Sequence, residues 1–263
     1  MEYYETEKDI KIAYELTGNP QRNKMVLLHG LFLNSDCWKD QIPAFKDDFH
    51  ILKIDYRGHG RSTKPEERFT IRNYIDDLYK LLTHLDWTQD LYLVGHSLGG
   101  MIALSFAIEH PNYVKKIVAA DAFCHVTQDA ITDVMGRIAQ YPLEDFAKGI
   151  SVRGLRPYDE ETALYLAKLV TDHMSKEDCL KATAASSGFF ICDAITMLDV
   201  PTLLIVGEKD ITTPVWASYM LHEWLPNSKI IVIPDSGHLT INDHPGRVNE
   251  LVKTFWEDPE NIT

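Results

Sequence analysis

The residues best suited to covalent chemistry lie in the segment 91–100, Leu-Tyr-Leu-Val-Gly-His-Ser-Leu-Gly-Gly. Gly95 and Gly99 flank Ser97 at the Gly-x-Ser-x-Gly spacing, between a short apolar run and an apolar segment that favours helix. A serine on a tight strand-to-helix turn projects its hydroxyl away from the backbone, and such a turn requires small neighbours. Because the bare pattern also occurs in ordinary loops, its weight depends on the elements around it. In this context it predicts a nucleophilic serine at position 97.

A serine hydroxyl needs a base within hydrogen-bond reach, and the base needs a third group to orient it. Among the eleven histidines, His238 is the best candidate because it follows the last predicted strand. The strand-end loops of a parallel sheet face one crevice, so this loop would lie beside Ser97. His244 is interpreted as part of the segment that leads into the closing helix, and His29 and His96 as structural residues.

The third group is predicted to be Asp210, which follows the strand before that of His238. It gives the chain order Ser, Asp, His that accompanies a serine on a strand-to-helix turn of this kind. Asp121 is a rival, since it also ends a strand and could reach the imidazole from the other side. The sequence favours Asp210 and leaves the alternative open.

Two main-chain amides are predicted to stabilise the negative charge that develops on a carbonyl oxygen during attack by a serine. The amide of Leu98 begins the helix after the turn, and the amide of Leu31 follows His29-Gly30 at the end of another strand. Asp55 and Arg57 are interpreted as residues that hold their own loop, although a substrate-facing Arg57 remains an alternative.

The elements that must position these groups follow from hydrophobic periodicity. Strands and helices alternate over the first part of the chain, which predicts a mostly parallel sheet with helices on both faces. The predicted elements are a hairpin over residues 3–16, strands at 25–28, 50–56, 91–94 and 116–120, and helices at 38–45 and 71–85.

From residue 122 the pattern changes, because strand-like runs disappear and helical windows follow one another. We interpret residues 122–196 as a helical cap inserted between two strands, and residues 1–121 and 197–263 as the core domain. The predicted helices of the cap are 130–141, 143–152, 159–170 and 176–185, and the core resumes with strands at 201–207 and 229–233 and helices at 214–224 and 245–256.

Composition limits the partners of the chain. Of its 263 residues, 45% are hydrophobic and 25% are charged, as in ordinary globular proteins. The net charge of −13 argues against nucleic acid or an anionic membrane surface as the main partner. The start of the chain does not resemble a secretory leader and no apolar run is long enough for a membrane span, so a cytoplasmic location is expected.

The four cysteines are scattered and form no Cys-x-x-Cys motif. We therefore expect Cys37, Cys124, Cys179 and Cys192 to be buried free thiols, without a disulfide framework or a metal site. No cofactor is predicted either.

Together the motifs resemble the α/β-hydrolase superfamily over essentially the whole chain. The resemblance implies an eight-stranded sheet, a cap after the sixth strand, and Ser97, His238 and Asp210 as nucleophile, base and acid. Within the superfamily the chain is similar to small carboxylesterases and 3-oxoadipate enol-lactonases, whereas Ser97 replaces the aspartate nucleophile of haloalkane dehalogenases and epoxide hydrolases. The matching pieces are His29-Gly30 with Trp38, the loop Asp55-x-Arg57-Gly58-x-Gly60-x-Ser62, the turn at Ser97, Gly207-x-x-Asp210 and Gly237-His238.

The expected activity is hydrolysis of small or medium carboxylic esters through an acyl-enzyme. A lactonase or carbon–carbon bond hydrolase with the same three residues is the main alternative. A cofactor-free dioxygenase relying on His238 and Asp121, or a ligand sensor that retains the three residues, is a further one. The sequence indicates no oligomeric state.

Apolar residues predicted near the site have two interpretations, because an acyl pocket and the core of a helical cap would use the same side chains. These residues are Phe32, Leu33, Phe123, Phe189, Phe190, Met197 and Trp216.

Overall fold

A computed structural model describes residues 1–259 and Ile262. Within these residues, eight strands form one sheet in the order β1-β2-β4-β3-β5-β6-β7-β8. β1 pairs with β2 and β2 with β4 in antiparallel fashion, and every other neighbouring pair is parallel. The predicted eight-stranded, mostly parallel sheet is confirmed. The strands are β1 (Glu2–Glu7), β2 (Ile10–Gly18), β3 (Asn23–Leu28), β4 (Phe49–Ile54), β5 (Leu91–His96), β6 (Val114–Ala120), β7 (Thr202–Gly207) and β8 (Ser228–Ile233).

Helices cover both faces of this sheet. None of those within residues 1–259 combines the length and apolar character that a bilayer-spanning helix requires. The α-helices are α1 (Ile42–Phe45), α2 (Ile71–His84), α3 (Leu98–Glu109), α4 (Gln128–Gln140), α5 (Leu143–Gly154), α6 (Glu160–Thr171), α7 (Lys176–Ala185), α8 (Val215–Trp224), α9 (Thr240–Asp243) and α10 (Pro245–Glu257).

The prediction of a single helix over residues 38–45 is wrong. The chain instead forms a 3₁₀ turn at Ser35–Trp38, capped by the side chain of Asn34, and then the short helix α1. Pro43 explains the interruption, because proline has no N–H to continue a helix from the preceding turn but fits within a first turn.

The core lies in two layers, one on each face of the sheet. β5 is buried along its whole length, and its alternate side chains enter opposite layers. Leu91 and Leu93 join the layer under α2 and α3, whereas Tyr92 and Val94 join the layer under α10. A fully buried leucine such as Leu93 contributes about 2 kcal/mol. This two-sided burial holds the end of β5, and therefore Ser97, in place.

The helices α4 to α7 lie between β6 and β7 in chain order, where the cap is expected. They share an apolar cluster of their own that includes Ile138, Phe146 and Val170. Phe32 from the core side packs edge-to-face on Phe146, with ring centroids 5.4 Å apart. We retain the division into a core and a cap at residues 122–196 as a proposal.

Cysteine pairing differs from the expectation. Cys124 and Cys192 form a disulfide, so their prediction as free thiols is wrong, whereas Cys37 and Cys179 are buried and free as expected. The two bonded residues are 68 positions apart, and sequence alone does not reveal such pairings.

The disulfide joins the segment between β6 and α4 to the segment between α7 and β7. These segments run antiparallel, with the Val126 N–H donating to the Phe189 carbonyl at 3.1 Å and the Ile191 N–H donating to the Cys124 carbonyl at 2.9 Å. This pairing brings Cys124 and Cys192 to a Cα separation of 5.1 Å. Residues 124–126 and 189–192 thus form one cross-linked, hydrogen-bonded stalk beneath helices α4 to α7.

Reduction of the disulfide is expected to lower the free energy of unfolding by about 2–4 kcal/mol, because it releases the loop that the bond closes in the unfolded chain. Urea unfolding with and without dithiothreitol measures the difference. The double variant Cys124→Ser/Cys192→Ser should resemble the reduced protein and should not respond to the reductant. Equal stability of all four samples would contradict a stabilising bond.

Candidate active site

Ser97 lies between β5 and α3 in a strained backbone conformation, with φ 51° and ψ −115°. Non-glycine residues rarely adopt positive φ, and such residues cluster at functional sites. The flanking glycines are required by close approach: a Cβ on Gly95 would lie 2.2 Å from the Gly99 carbonyl oxygen, and one on Gly99 only 1.9 Å from that of Leu28. The local shape is therefore the strand–turn–helix that the Gly-x-Ser-x-Gly spacing predicts.

The three residues predicted to act together lie in contact. Ser97 Oγ is 3.0 Å from His238 Nε2, and His238 Nδ1 is 2.8 Å from Asp210 Oδ2. Asp210 follows β7 and His238 follows β8, so the carboxyl ends of three parallel strands bring them together. Asp210 and His238 are both buried.

Asp210 is held by its own loop. The N–H groups of Thr212 and Thr213 donate to Oδ1 at 2.7 and 3.0 Å, and the Thr213 hydroxyl lies 2.7 Å from Oδ2. Burial by itself would raise the pKa of Asp210, but His238 and these hydrogen bonds outweigh it and leave the pKa below its usual value. Thr213 was not predicted as a site residue, although an Asp followed by threonines at this spacing is typical of a side-chain-stabilised turn.

Burial also acts on His238, where it is the largest single influence and lowers the pKa. The nearby carboxylates of Asp210, Asp121 and Asp243 act in the opposite direction and together prevail, so the pKa of His238 is raised above 6.5. The raised pKa of His238 favours the protonated imidazolium, and the lowered pKa of Asp210 keeps the adjacent carboxylate ionised.

Asp121, the rival acid, makes other contacts. It accepts hydrogen bonds from the Thr240 hydroxyl at 2.7 Å, the Thr240 N–H at 3.1 Å and the Gly207 N–H at 3.2 Å, and lies 3.5 Å from His96 Nε2. Burial is the main reason that the pKa of Asp121 is raised. Its side chain therefore fastens the loop after β8 to the end of β6, while Asp210 contacts the imidazole of His238.

His29 orients the loop after β3. Its Nδ1–H donates to the Gly30 carbonyl at 2.8 Å, and its Nε2 accepts from the Tyr56 N–H at 3.2 Å. One donor and one acceptor require a neutral ring, and burial lowers the pKa of His29 to about 4. Because a trans peptide directs its C=O and N–H oppositely, the Leu31 N–H points away from His29. The other predicted amide, that of Leu98, is the first of α3.

Arg57 does not lie at the candidate site. Its side chain is buried, and its Nε donates to Asp77 Oδ2 at 2.6 Å while one terminal nitrogen donates to Glu7. Asp55 accepts from the N–H groups of Ser35 and Arg61, both at 2.8 Å. Both residues hold their own part of the fold, and the alternative of a substrate-facing Arg57 is wrong.

Two cavities meet at Ser97, and Leu31, Ser97, Val134 and Thr212 line both. The larger cavity, of about 270 Å³, lies under α4 and is mostly apolar. The smaller cavity, of about 130 Å³, contains the ring of His238. Other residues of the larger cavity include Leu98, Met101, Phe123, Ile131 and Trp216, and those of the smaller include Phe32, Phe146, Ile150, Leu239, Arg137 and Arg153.

The apolar residues predicted near the site separate into three groups. Phe123 and Trp216 line the larger cavity, and Phe32 and Leu33 line the smaller one. Phe189 lines neither, because it belongs to the stalk and packs against the core layer under α2 and α3. The side chains of Phe190 and Met197 are 59% and 84% exposed and also lie outside these two cavities.

Among the described residues, one group brings three potential metal-ligand atoms within 4.8 Å of one another, namely Cys124, His125 and Cys192. Metals bind cysteine as thiolate, and both sulfur atoms are joined in the stalk disulfide. The oxidised stalk therefore offers only the imidazole of His125 as a ligand.

Comparison with known proteins agrees with the observed fold. A family model described as the alpha/beta hydrolase fold matches residues 23–151, and one described as TAP-like protein matches residues 169–261. The chain is 24% identical to 3-oxoadipate enol-lactonase 2 of Acinetobacter baylyi, over 96% of this chain and 95% of that protein.

Two solved structures are similar throughout. A bromoperoxidase from Bacillus anthracis is 26% identical, with a TM-score of 0.86 over 95% of this chain and 96% of that one. A thermophilic esterase from Thermogutta terrifontis is 25% identical, with a TM-score of 0.85 over 94% and 93%. The two family matches and the shared architecture agree with the resemblance seen in the sequence, and the chain therefore belongs to the α/β-hydrolase superfamily.

Proposed function

We propose that the protein is a serine hydrolase that cleaves carboxylic esters of small to medium acyl groups through an acyl-enzyme. The observation that carries the proposal is the chain of contacts from Ser97 Oγ through His238 to Asp210, at 3.0 and 2.8 Å. These distances match what a nucleophile, its base and the orienting acid require.

In the acylation step, Ser97 Oγ attacks the carbonyl carbon of the ester as its proton passes to His238 Nε2. The carbonyl oxygen becomes negative and accepts hydrogen bonds from the main-chain N–H groups of Leu31 and Leu98. His238 then returns the proton to the departing alcohol oxygen as the carbon–oxygen bond breaks. Asp210 keeps Nδ1 protonated and stabilises the imidazolium.

In the deacylation step, His238 takes a proton from a water molecule, which attacks the acyl carbon. As the second tetrahedral intermediate collapses, the bond between the acyl carbon and Ser97 Oγ breaks and His238 Nε2 returns its proton to Oγ. The carboxylic acid is released and the Ser97 hydroxyl is restored. The proposed reaction needs no metal or organic cofactor, and the proposed partner is a small-molecule ester or lactone.

Labelling with a fluorophosphonate probe tests this function. We expect one covalent adduct, located at Ser97 by peptide mass spectrometry, together with hydrolysis of p-nitrophenyl butyrate. Pretreatment with the probe should remove the esterase activity in proportion to labelling. Full activity of the fully labelled protein would contradict the proposal.

The pH dependence follows from His238, which acts as a base only when its ring is neutral. Because its pKa is raised above 6.5, kcat/KM should fall as the pH drops through a midpoint above 6.5. Asp210, with a lowered pKa, remains ionised across this range. Initial rates on p-nitrophenyl butyrate between pH 5 and 9, with stability controls at each pH, measure the midpoint. A midpoint well below 6.5 would contradict the role of the nearby carboxylates.

A lactone substrate is the second candidate, supported by the similarity to an enol-lactonase. The same attack opens a ring when the leaving oxygen remains attached to the acyl group. A panel of simple esters, lactones and vinylogous diketones compares ester, lactone and carbon–carbon bond cleavage directly. A cofactor-free dioxygenase that relies on Asp121 is less well supported, because the side chain of Asp121 contacts Thr240 and Gly207. A ligand sensor is less well supported because Ser97, His238 and Asp210 lie in contact as hydrolysis requires.

A further inference from the structure

The position of His238 assigns the two cavities to the two halves of an ester, given the proposed function. The leaving alcohol must lie on the side of the imidazole, because Nε2 returns the proton to its oxygen. His238 lines the smaller cavity and not the larger one. The alcohol therefore occupies the smaller cavity, and the apolar larger cavity receives the acyl chain.

The smaller cavity has a charged rim. Arg137 on α4 and Arg153 on α5 line it together with the apolar side chains of Phe146 and Ile150. The same two arginines also line a groove on the outer surface between α4 and α5. They therefore stand where the cavity beside Ser97 meets the surface.

Both arginines have guanidinium N–H groups that could bind an anion. Arg137 Nε pairs with Asp133 Oδ2 at 3.1 Å, which uses only part of its guanidinium. Arg153 forms no ion pair with any residue that the structure describes, and the one acid of the groove, Asp145, is exposed. In a chain of net charge −13, anions are repelled unless local cations attract them.

We propose that the smaller cavity binds the alcohol portion of esters whose alcohol carries a carboxylate, and that Arg137 and Arg153 hold this carboxylate. A cavity of about 150 Å³ accommodates a benzene ring, so the cavity beside His238, of about 130 Å³, suits an alcohol no larger than a single ring. The carboxylate would then lie at the rim, where guanidinium groups form paired, charge-assisted hydrogen bonds. The substrate class is thus an apolar acyl group esterified to a small hydroxy acid.

Two butyrate esters that differ only in this charge test the proposal, namely those of 4-hydroxybenzoate and of 4-hydroxybenzamide. We expect kcat/KM to favour the carboxylate ester by about tenfold or more, the size of a charge-assisted pair. In the variants Arg153→Gln and Arg137→Gln/Arg153→Gln, the ratio of kcat/KM for the 4-hydroxybenzoate ester to kcat/KM for the 4-hydroxybenzamide ester should fall to about one. Arg22→Gln, an exposed arginine at the opposite end of β3, is the charge-matched control and should retain the preference.

A binding measurement separates this proposal from the proposed function. Calorimetric titration should show 4-hydroxybenzoate binding about tenfold more tightly than 4-hydroxybenzamide, and Arg153→Gln should remove the difference. Selective binding without hydrolysis of either ester would overturn the proposed function and support the carboxylate site. Equal hydrolysis of the two esters together with equal binding of 4-hydroxybenzoate and 4-hydroxybenzamide would overturn the carboxylate site alone. A preference for the carboxylate that persists in the folded double variant would do the same.

Discussion

Alanine at position 97 is expected to lower kcat for p-nitrophenyl butyrate by about 10⁶-fold, which is the scale of losing the nucleophile of a serine hydrolase. The loss is large because His238 then has no hydroxyl to deprotonate, and the acyl-enzyme cannot form. Residual hydrolysis would come from binding and the amides of Leu31 and Leu98 alone. The measurement compares the initial rates of Ser97→Ala and the parent protein, with enough enzyme to detect the residual reaction.

Ser105→Ala is the matched control for this variant. Ser105 lies two turns along α3, where its hydroxyl donates to the Met101 carbonyl at 2.8 Å. Its removal changes the same chemical group in the same helix but leaves the contact of Ser97 with His238 in place, so activity per folded molecule should stay within about twofold. A fluorophosphonate adduct that persists in Ser97→Ala, together with parental turnover, would show that another residue is the nucleophile.

Asparagine at position 210 is expected to reduce kcat by about 10⁴-fold, as when a serine hydrolase loses the carboxylate behind its histidine. An amide can donate to Nδ1 of His238, which stabilises the wrong tautomer for accepting the Ser97 proton at Nε2. The variant also removes the main charge that raises the pKa of His238, so any remaining activity should have its acid limb at a lower pH. Steady-state rates and their pH profile measure both effects.

Asp121→Asn decides between the two candidate acids. Since the Asp121 side chain contacts Thr240, Gly207 and His96, its replacement should mainly lower stability, and the folded variant should keep far more activity than Asp210→Asn. Thermal unfolding and single-turnover rates separate the two effects. Near-parental turnover in Asp210→Asn and a loss of about 10⁴-fold in Asp121→Asn would reverse the assignment.

Features determined by neighbouring residues could be predicted from the sequence. The turn at Ser97 requires Gly95 because its backbone closely approaches that of Gly99, four residues on, so the spacing indicated the shape of the turn. Gly99 is required by a longer-range contact, its close approach to the Leu28 carbonyl at the end of β3. The alternating strands and helices likewise predicted the parallel sheet, and chain order placed Asp210 and His238 at the edge that holds Ser97. The prediction of one continuous helix at 38–45 was wrong because of a local feature, the proline at position 43.

Features that depend on the packing of distant segments could not be predicted in the same way. The pairing of Cys124 with Cys192 follows from the antiparallel stalk, and neither residue carries a local mark of it. The bond of Thr213 to the Asp210 carboxylate and the division of the space beside Ser97 into two cavities also follow from how loops and cap helices meet.

The sequence by itself therefore determined the fold class and predicted Ser97, His238 and an acid, Asp210 in preference to Asp121, as candidate active-site residues, because short-range sterics and hydrophobic periodicity are set by adjacent side chains. Only the tertiary structure decided which acid contacts His238, which aromatic residues line the cavities, and where Arg137 and Arg153 lie. The physical reason is that contacts between residues far apart in the chain depend on the packing of whole elements, which no local pattern specifies.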